Sequence, residues 1–544
     1  MNHYNFFFGF KKTFYLVLLV CCGILCLHAA PCFSAIYYVD ASNGADTNDG
    51  LKKSSAWKTL KKVEKSSFSP GDFVLFKSGE VWNEQLEFNS SGNKGNPITL
   101  GAYGTGAQPK FTHSSLVTGW SSEGNGVYSK LINAREGIFE DGQMIPEASD
   151  KSCTDGNWHY SNGKTYYKPT FGSPNHHELL QCISYYLIKL DKKSYINIEN
   201  IQMTYSGGGI HVYGGSHISI KNCNIVNIFG WAIQLKNTEG YCSATDNTIT
   251  NVIDGIYLVG NPGDHHILSN NIISHCNYGE YNKRDGHGIG LQNTNNNIIL
   301  NNIISFCRMA PIGLWVAEGK TGNNNLISYN RISNNKKSYT SSYFGTAISI
   351  TSEEGGITSG NQVYYNIIET CNVGIKLSRN NIPGNLIYNN TFFNCIQGIK
   401  LSLGADNNII VNNIFFGTEE LHVNSQHQDV GNNNKFDANC YYPDIPNGFK
   451  YKGYALKNFS AWKTKTGSDS KSFVSDPLFV DFVSFILRPE SPCIDSGINV
   501  QLLKDFNGIS VPQMKTVDIG ANEYLPSSDE INLSSPKRLR IDSQ

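Results

Sequence analysis

Residues 224–258 read N-I-V-N-I-F-G-W-A-I-Q-L-K-N-T-E-G-Y-C-S-A-T-D-N-T-I-T-N-V-I-D-G-I-Y-L. Two phases repeat inside this stretch at an interval of 23 residues. One is an Asn followed by apolar alternation, at Asn224 and Asn247; the other is an apolar pair, at Ile233/Leu235 and Ile256/Leu258. Both extend outward. The Asn recurs at 200, 224, 247, 271, 302, 330, 366, 390 and 413. The pair recurs as Ile210/Val212, Ile289/Leu291, Ile312/Leu314, Ile348/Ile350, Ile375/Leu377 and Ile399/Leu401. A period near 23 with three alternating segments per copy predicts an all-β solenoid of three-strand rungs, a single-stranded parallel β-helix. Each rung would advance by about 4.8 Å and close its hydrogen bonds on its neighbours. Branched residues then point inward and the residues between them outward. The Asn suits a tight corner: it tolerates the left-handed conformation, and its amide can bond to the Asn of the next rung. A leucine-rich repeat would need L-x-x-L-x-L spacing and alternating helices, and the chain shows neither.

Five residues after the Asn stand Cys276, Cys307, Cys371 and Cys395, a common phase that predicts a column of small buried side chains. The fourteen cysteines show no CxxC pair and no zinc spacing. The formal net charge is −1 and charged residues make up 16 % of the chain, which excludes a nucleic-acid or membrane-surface partner chosen by bulk charge.

Around the repeat, residues 1–35 read as an export signal: Lys11 and Lys12, an apolar run from Thr13 to Ala30, and small residues up to Ala35. The mature protein is therefore expected to be secreted or periplasmic, monomeric and without a membrane partner. Residues 36–110 form an N-terminal module of short strands between Gly, Asn and Asp turns. Asp40, Asp46 and Asp49 there fit strand-ending Asx-turns better than a calcium site. Residues 111–180 break the rhythm as a small β insertion. Its aromatics, Trp120, Trp158, His159, Tyr160, Tyr166 and Tyr167, are read first as its own core and second as sugar-stacking rings. Residues 181–420 hold the repeats, 421–525 a closing module and C-terminal cap, and 526–544 a disordered tail.

The segment I-Y-Y-V-D-A-S-N-G-A-D-T-N-D-G from Ile36, together with S-P-G-D-F-V-L-F-K-S-G-E-V-W from Ser69, resembles the N-terminal module of secreted bacterial right-handed parallel β-helix proteins of the pectate-lyase-like superfamily. D-I-G-A-N-E at Asp518–Glu523 resembles their closing module. That group is rich in polysaccharide lyases, so the resemblance implies a polysaccharide substrate.

Two rungs are about ten residues too long, between Leu258 and Ile289 and between Leu314 and Ile348, and the excess must leave as loops. The first brings Tyr281, Lys283, Arg284 and Asp285 to the strand of His287, and phase places Asp254 beside His287, able to hydrogen-bond to it. Abstraction of a proton next to a uronate carboxylate needs a cation on that carboxylate, a base and an acid. Lys283 or Arg284 would supply the first; His287 oriented by Asp254, or Tyr281, the others. Tyr257, Trp315, Lys236, Lys376 and Lys400 fall on the same outward face as substrate-binding candidates, with Gly290 and Gly313 leaving room between them. Glu318, with Asp285, is the metal candidate, and calcium the ion left open.

Tyr281-x-x-x-Asp285-x-His287 resembles the Tyr-x-x-Asp-x-His cluster of alginate C5-epimerases, with a Tyr-to-Asp gap one residue longer and Gly286 where Pro is usual. Trp315-Val316-Ala317-Glu318 is similar to their following strand, with Glu in place of Asp. Gly286-His287-Gly288 resembles the Gly-His-Gly of polygalacturonase-type hydrolases, whose paired Asp-Asp the chain lacks. The reading is lyase or epimerase first, hydrolase second, and a glycan-binding protein without chemistry third.

Overall fold

The computed structural model describes residues 34–133, 137–261, 263–277, 285–333, 345–426 and 432–526. Strands stack in parallel register along three ladders. The first is a 13-stranded sheet from Ile36–Val39 to Lys435–Asp437. The second runs from Val81–Asn83 and Lys110–Thr112 to Phe473–Val474. The third runs from Leu86–Glu87 and Ile188–Asp191 to Phe449–Tyr451. The long strands Asn224–Lys236 and Thr248–Val259 belong to both the second and the third. The apolar pair lines the interior of the third sheet: Ile233, Ile256, Ile289, Ile312, Ile348, Ile375 and Ile399 are all fully buried. The overlong rungs keep register on both sides, with Ile256 opposite Ile289 and Ile312 opposite Ile348.

The corner asparagines form the expected ladder with a difference of detail. From Asn271 onward each Oδ1 accepts from the backbone N–H and the Nδ2 of the Asn one rung earlier, as Asn390 does for Asn366 and Asn366 for Asn330. The left-handed residue is the one before: Asn270, Asn301, Tyr329, Tyr365, Asn389 and Asn412 have φ between 47° and 58°. The ladder residue must bury its amide to reach two neighbouring rungs, a place the side chain of the left-handed residue does not occupy. Asn200 and Asn224 lie outside the ladder. Asn200 is itself left-handed, and Cys223 takes the ladder position before Asn247. A second ladder, Asn297–Asn325–Asn361–Asn385–Asn408–Asn434, lines another corner five residues upstream of the first.

The cysteine column is buried, and the ten cysteines from Cys153 to Cys493 are thiols rather than disulfides. In the N-terminal module Asp40 and Asp49 close local turns, accepting from Ser42 and Asn43 and from Leu51, whereas Asp46 reaches across to the N–H groups of Lys58 and Thr59 and makes no turn of its own. The insertion is two four-stranded antiparallel sheets. Trp158 and Tyr167 are its core with Val117, Ile138 and Leu179, and Trp120 and Tyr160 pack against them.

The helix Phe459–Thr466 places Trp462 in the solenoid core at its C-terminal end. Residues 476–524 instead run back along the second sheet. Phe479, Phe485, Leu487, Ile519 and Ala521 pack on Tyr365, Ile367, Tyr388 and Ile414, and the Gly520 N–H donates to Asn412 O. Asp505, Asp518 and Glu523 are buried there, each accepting backbone N–H groups. Burial pushes their carboxyls up to about 7, about 6 and about 7. Among the described residues no helix is long and apolar enough to cross a membrane.

Candidate functional site

The outward positions of the third sheet follow one column through the register: Lys189, His211, Gln234, Tyr257, Gly290, Gly313, Ser349, Lys376, Lys400, Asn424 and Lys450. Its first rungs are closed off. The Tyr186 ring stacks on His211 at 4.2 Å, and its hydroxyl donates to Gln234 Oε1 at 2.6 Å. From Tyr257 on, the face carries two groups of ionisable side chains.

The first group is Asp254, Tyr257, Asp285 and His287. Register places Asp254 beside His287, as phase predicts, but the hydrogen bond goes elsewhere. Asp254 Oδ1 accepts the backbone N–H groups of Gly286 and His287 at 3.0 and 2.8 Å, and His287 Nδ1 stays 3.8 Å from it. Gly286 has φ 90°, and the carboxylate pins that turn rather than the imidazole. Among the described residues His287 Nδ1 is buried without a hydrogen-bond partner. The room at the two glycines is taken by the protein's own rings. A Cβ at Gly290 would stand 2.3 Å from Tyr257, and one at Gly313 2.7 Å from His287. The two rings meet edge to face at 5.7 Å. Burial, with the charges of Asp254 and Asp285, holds the Tyr257 phenol far above its usual range. Tyr281, Lys283 and Arg284 lie outside the described residues.

The second group begins two rungs beyond Gly313. Lys376 and Lys400 sit opposite each other on adjacent strands and are each only 6 % exposed. Burial and then the neighbouring Lys400 ammonium push Lys376 down to about 8. Burial and then Lys450 push Lys400 down. Hydroxyls of Ser349, Thr351 and Ser378 form a bonded row beside Lys376. Lys450 escapes the sequence reading because the period fades after Asn413; its signal is the apolar Phe449 in F-K-Y.

The other candidates scatter. Trp315 Nε1 donates to Glu353 Oε1, which also pairs with Arg379. Lys236 is exposed at a strand end. Asp285 precedes its strand, whereas Glu318 lies exposed past the end of the next, so the two do not converge. Among the described residues the one convergent set of metal-ligand atoms is Glu140, Asp141 and His177.

Residues 208–415 match the family model described as right handed beta helix region. The fold is the right-handed parallel β-helix. No curated protein matches the chain. Among solved structures, the complex of XylC with xylose shares 14 % identity at a TM-score of 0.64, covering 90 % of this chain and 99 % of that one. A glycoside hydrolase shares 11 % identity at a TM-score of 0.47, covering 67 % of this chain and 97 % of that one. The pectate lyase Pel9A shares 15 % at 0.45, covering 90 % and 97 %. At these identities the likeness is one of fold.

Proposed function

We propose that this β-helix is a carbohydrate-active enzyme that takes an acidic, uronate-containing polysaccharide along the outer face of its third sheet and abstracts a sugar C5 proton. The observation that carries the reading is Lys376, a buried outward amine pushed down to about 8 with a second ammonium on the next rung. A base works best with a pKa near the working pH, and an amine is easily tuned by burial. Lys400 would neutralise the uronate carboxylate and so acidify the C5 proton. The carbanion then expels the 4-oxygen, which takes its proton from the Lys376 ammonium or from water, in lyase chemistry, or is reprotonated by water from the other face, in epimerisation. This puts the proposed reaction three rungs from His287, because Asp254 and Asp285 would repel a uronate carboxylate at the first group.

A second reading is a glycoside hydrolase at that first group, favoured by two carboxylates that both act on Tyr257. Calcium remains a candidate cofactor for either reaction. The test is incubation of the purified protein with alginate, polygalacturonate and glycosaminoglycans, with and without calcium. Unsaturated ends or C5 deuterium exchange, both lost in Lys376→Met, support the proposal. New reducing ends without either signal favour the hydrolase, and glycan binding without product overturns both.

A further inference from the structure

The β insertion holds a cluster that the outer-face chemistry does not use. Its strands Ile138–Glu140 and Gln143–Met144 meet at a hairpin whose tip residue, Asp141, has φ 50°. The loop from Phe171 to Glu178 closes over that tip: Glu178 N–H donates to Asp141 Oδ1 at 2.8 Å. The side chain of His177 is fully buried beneath it. Its Nδ1 stands 2.9 Å from Glu140 Oε1 and 2.7 Å from Asp141 Oδ2, and its Nε2 stands 2.8 Å from Phe171 O.

A carbonyl oxygen only accepts, so Nε2 carries the ring's proton and donates it there. Nδ1 then points a lone pair at two carboxylate oxygens. Three such donors do not converge without a cation between them, which is either a second proton on the ring or a metal ion. One further atom favours the metal. Among the described residues Glu140 Oε2 is buried with no hydrogen-bond partner of good geometry, although the residue is only 3 % exposed. The fully buried Tyr167 phenol lies close enough to Glu140 for that carboxylate to act on it by charge and by hydrogen bonding. A protonated ring satisfies Oε1 and Oδ2 and leaves Oε2 with only that phenol beside it. A metal ion can take Glu140 through both oxygens and add a phenol or a water. A carbonyl acceptor on the far ring nitrogen is also the usual way a ligating histidine is oriented.

We propose that Glu140, Asp141 and His177 bind a divalent transition-metal ion of the zinc class, the choice that one imidazole nitrogen and two carboxylates favour over calcium. Ligand atoms around tetrahedral zinc lie roughly 3.3 Å apart, so the ion would spread the cluster slightly. Asp141, half exposed at the hairpin tip, is the ligand placed to yield and to admit the ion. The bound ion clamps the hairpin to its closing loop. The hairpin in turn supports the solenoid: Phe139 and Met144 pack on Phe229 and Ile253, and Asn227 donates to Gly142 O. The strand so braced carries Trp231, the register partner of Asp254.

The test is calorimetric titration of the chelator-treated full chain with zinc, and separately with calcium, followed by thermal unfolding. The expected result is one equivalent of zinc and a raised Tm. His177→Gln and Glu140→Gln should each weaken uptake by at least about a hundredfold, since loss of a ligand exceeds the effect of losing its supporting partner. Glu140→Gln keeps the oxygen that accepts from Thr170 N–H, so it tests the charge without removing the acceptor. No zinc uptake by the unmodified protein, calcium in preference to zinc, or uptake unchanged in both variants would each overturn the assignment and leave an imidazolium ion pair only.

Discussion

At two corners of the solenoid one residue type recurs rung after rung: Asn271, Asn302, Asn330, Asn366 and Asn390 at one, Asn297, Asn325, Asn361 and Asn385 at the other. On the outer face of the third sheet the same rungs carry Tyr257, Gly290, Gly313, Ser349, Lys376 and Lys400. The corner has one task in every rung, to satisfy buried backbone groups, and one side chain does it. The outer column has no such shared task. Burying an amine there costs stability, and a fold alone would choose a residue without charge. Repetition in this molecule therefore marks structure, and departure from it marks the proposed site.

The largest expected effect breaks the comparison on its functional side. Lys376→Met should cut turnover on an acidic polysaccharide by about a hundredfold to ten-thousandfold. It should leave Tm unchanged or raised, because an uncharged side chain of similar length replaces a buried amine. Steady-state kinetics and calorimetry on the same preparation check both halves.

The structural side should fail in the opposite way. Asn366 donates to Ile327 O, Tyr364 O and Asn390 Oδ1 and accepts from Asn330. Asn366→Ala should cost about 3 kcal/mol, since several buried partners lose their bonds together. Denaturant unfolding would show it, and the pH dependence of catalysis should not move.

A third prediction concerns the segment that folds back over the second sheet. Asp505, Asp518 and Glu523 have carboxyls raised in the folded state, which therefore binds more protons than the unfolded chain between about pH 4 and pH 7. Their contribution to stability is full below the unfolded carboxyl range and is lost as pH rises through 6 to 7. The protection factors of residues 476–524, with the base-catalysed rise of intrinsic exchange removed, should be lower at pH 8 than at pH 5, and Asp505→Asn should flatten that dependence.

The smallest effect sharpens the comparison within the outer face. Gly313→Ala places a Cβ against the His287 ring. If the reaction lies at Lys376, turnover should fall by less than about tenfold, with most of the change in KM. A loss as large as that of Lys376→Met would move the chemistry back to the first group.

How far the sequence could be read follows the same division. Period and phase placed every apolar pair from Ile210/Val212 to Ile399/Leu401 on its register, because burial demands a branched residue at each. The second Asn ladder is visible as an Asn five residues before the first, in N-N-N-I-I-L-N-N at 295–302, but it begins two rungs later and so repeats fewer times. Phase also placed Asp254 beside His287. What it could not give was where a flexible side chain goes: the carboxylate turned to two backbone N–H groups, and Tyr257 and His287 folded over the glycines. Nor does one-dimensional spacing report desolvation, which is what distinguishes Lys376 from the exposed Lys236. The cluster of Glu140, Asp141 and His177 was out of reach for a simpler reason, since an antiparallel insertion brings together residues 36 positions apart with no repeat to reveal it.

The most direct measurement is the pH profile of kcat on an acidic polysaccharide that the protein eliminates or epimerises. A lysine base must be neutral to accept the C5 proton, so the rate should rise with pH through about 8 and level off above it. An optimum below pH 7, or a rising limb that survives in Lys376→Met, would contradict the assignment of the base and with it the claim that the buried lysines of the outer face are the reactive site.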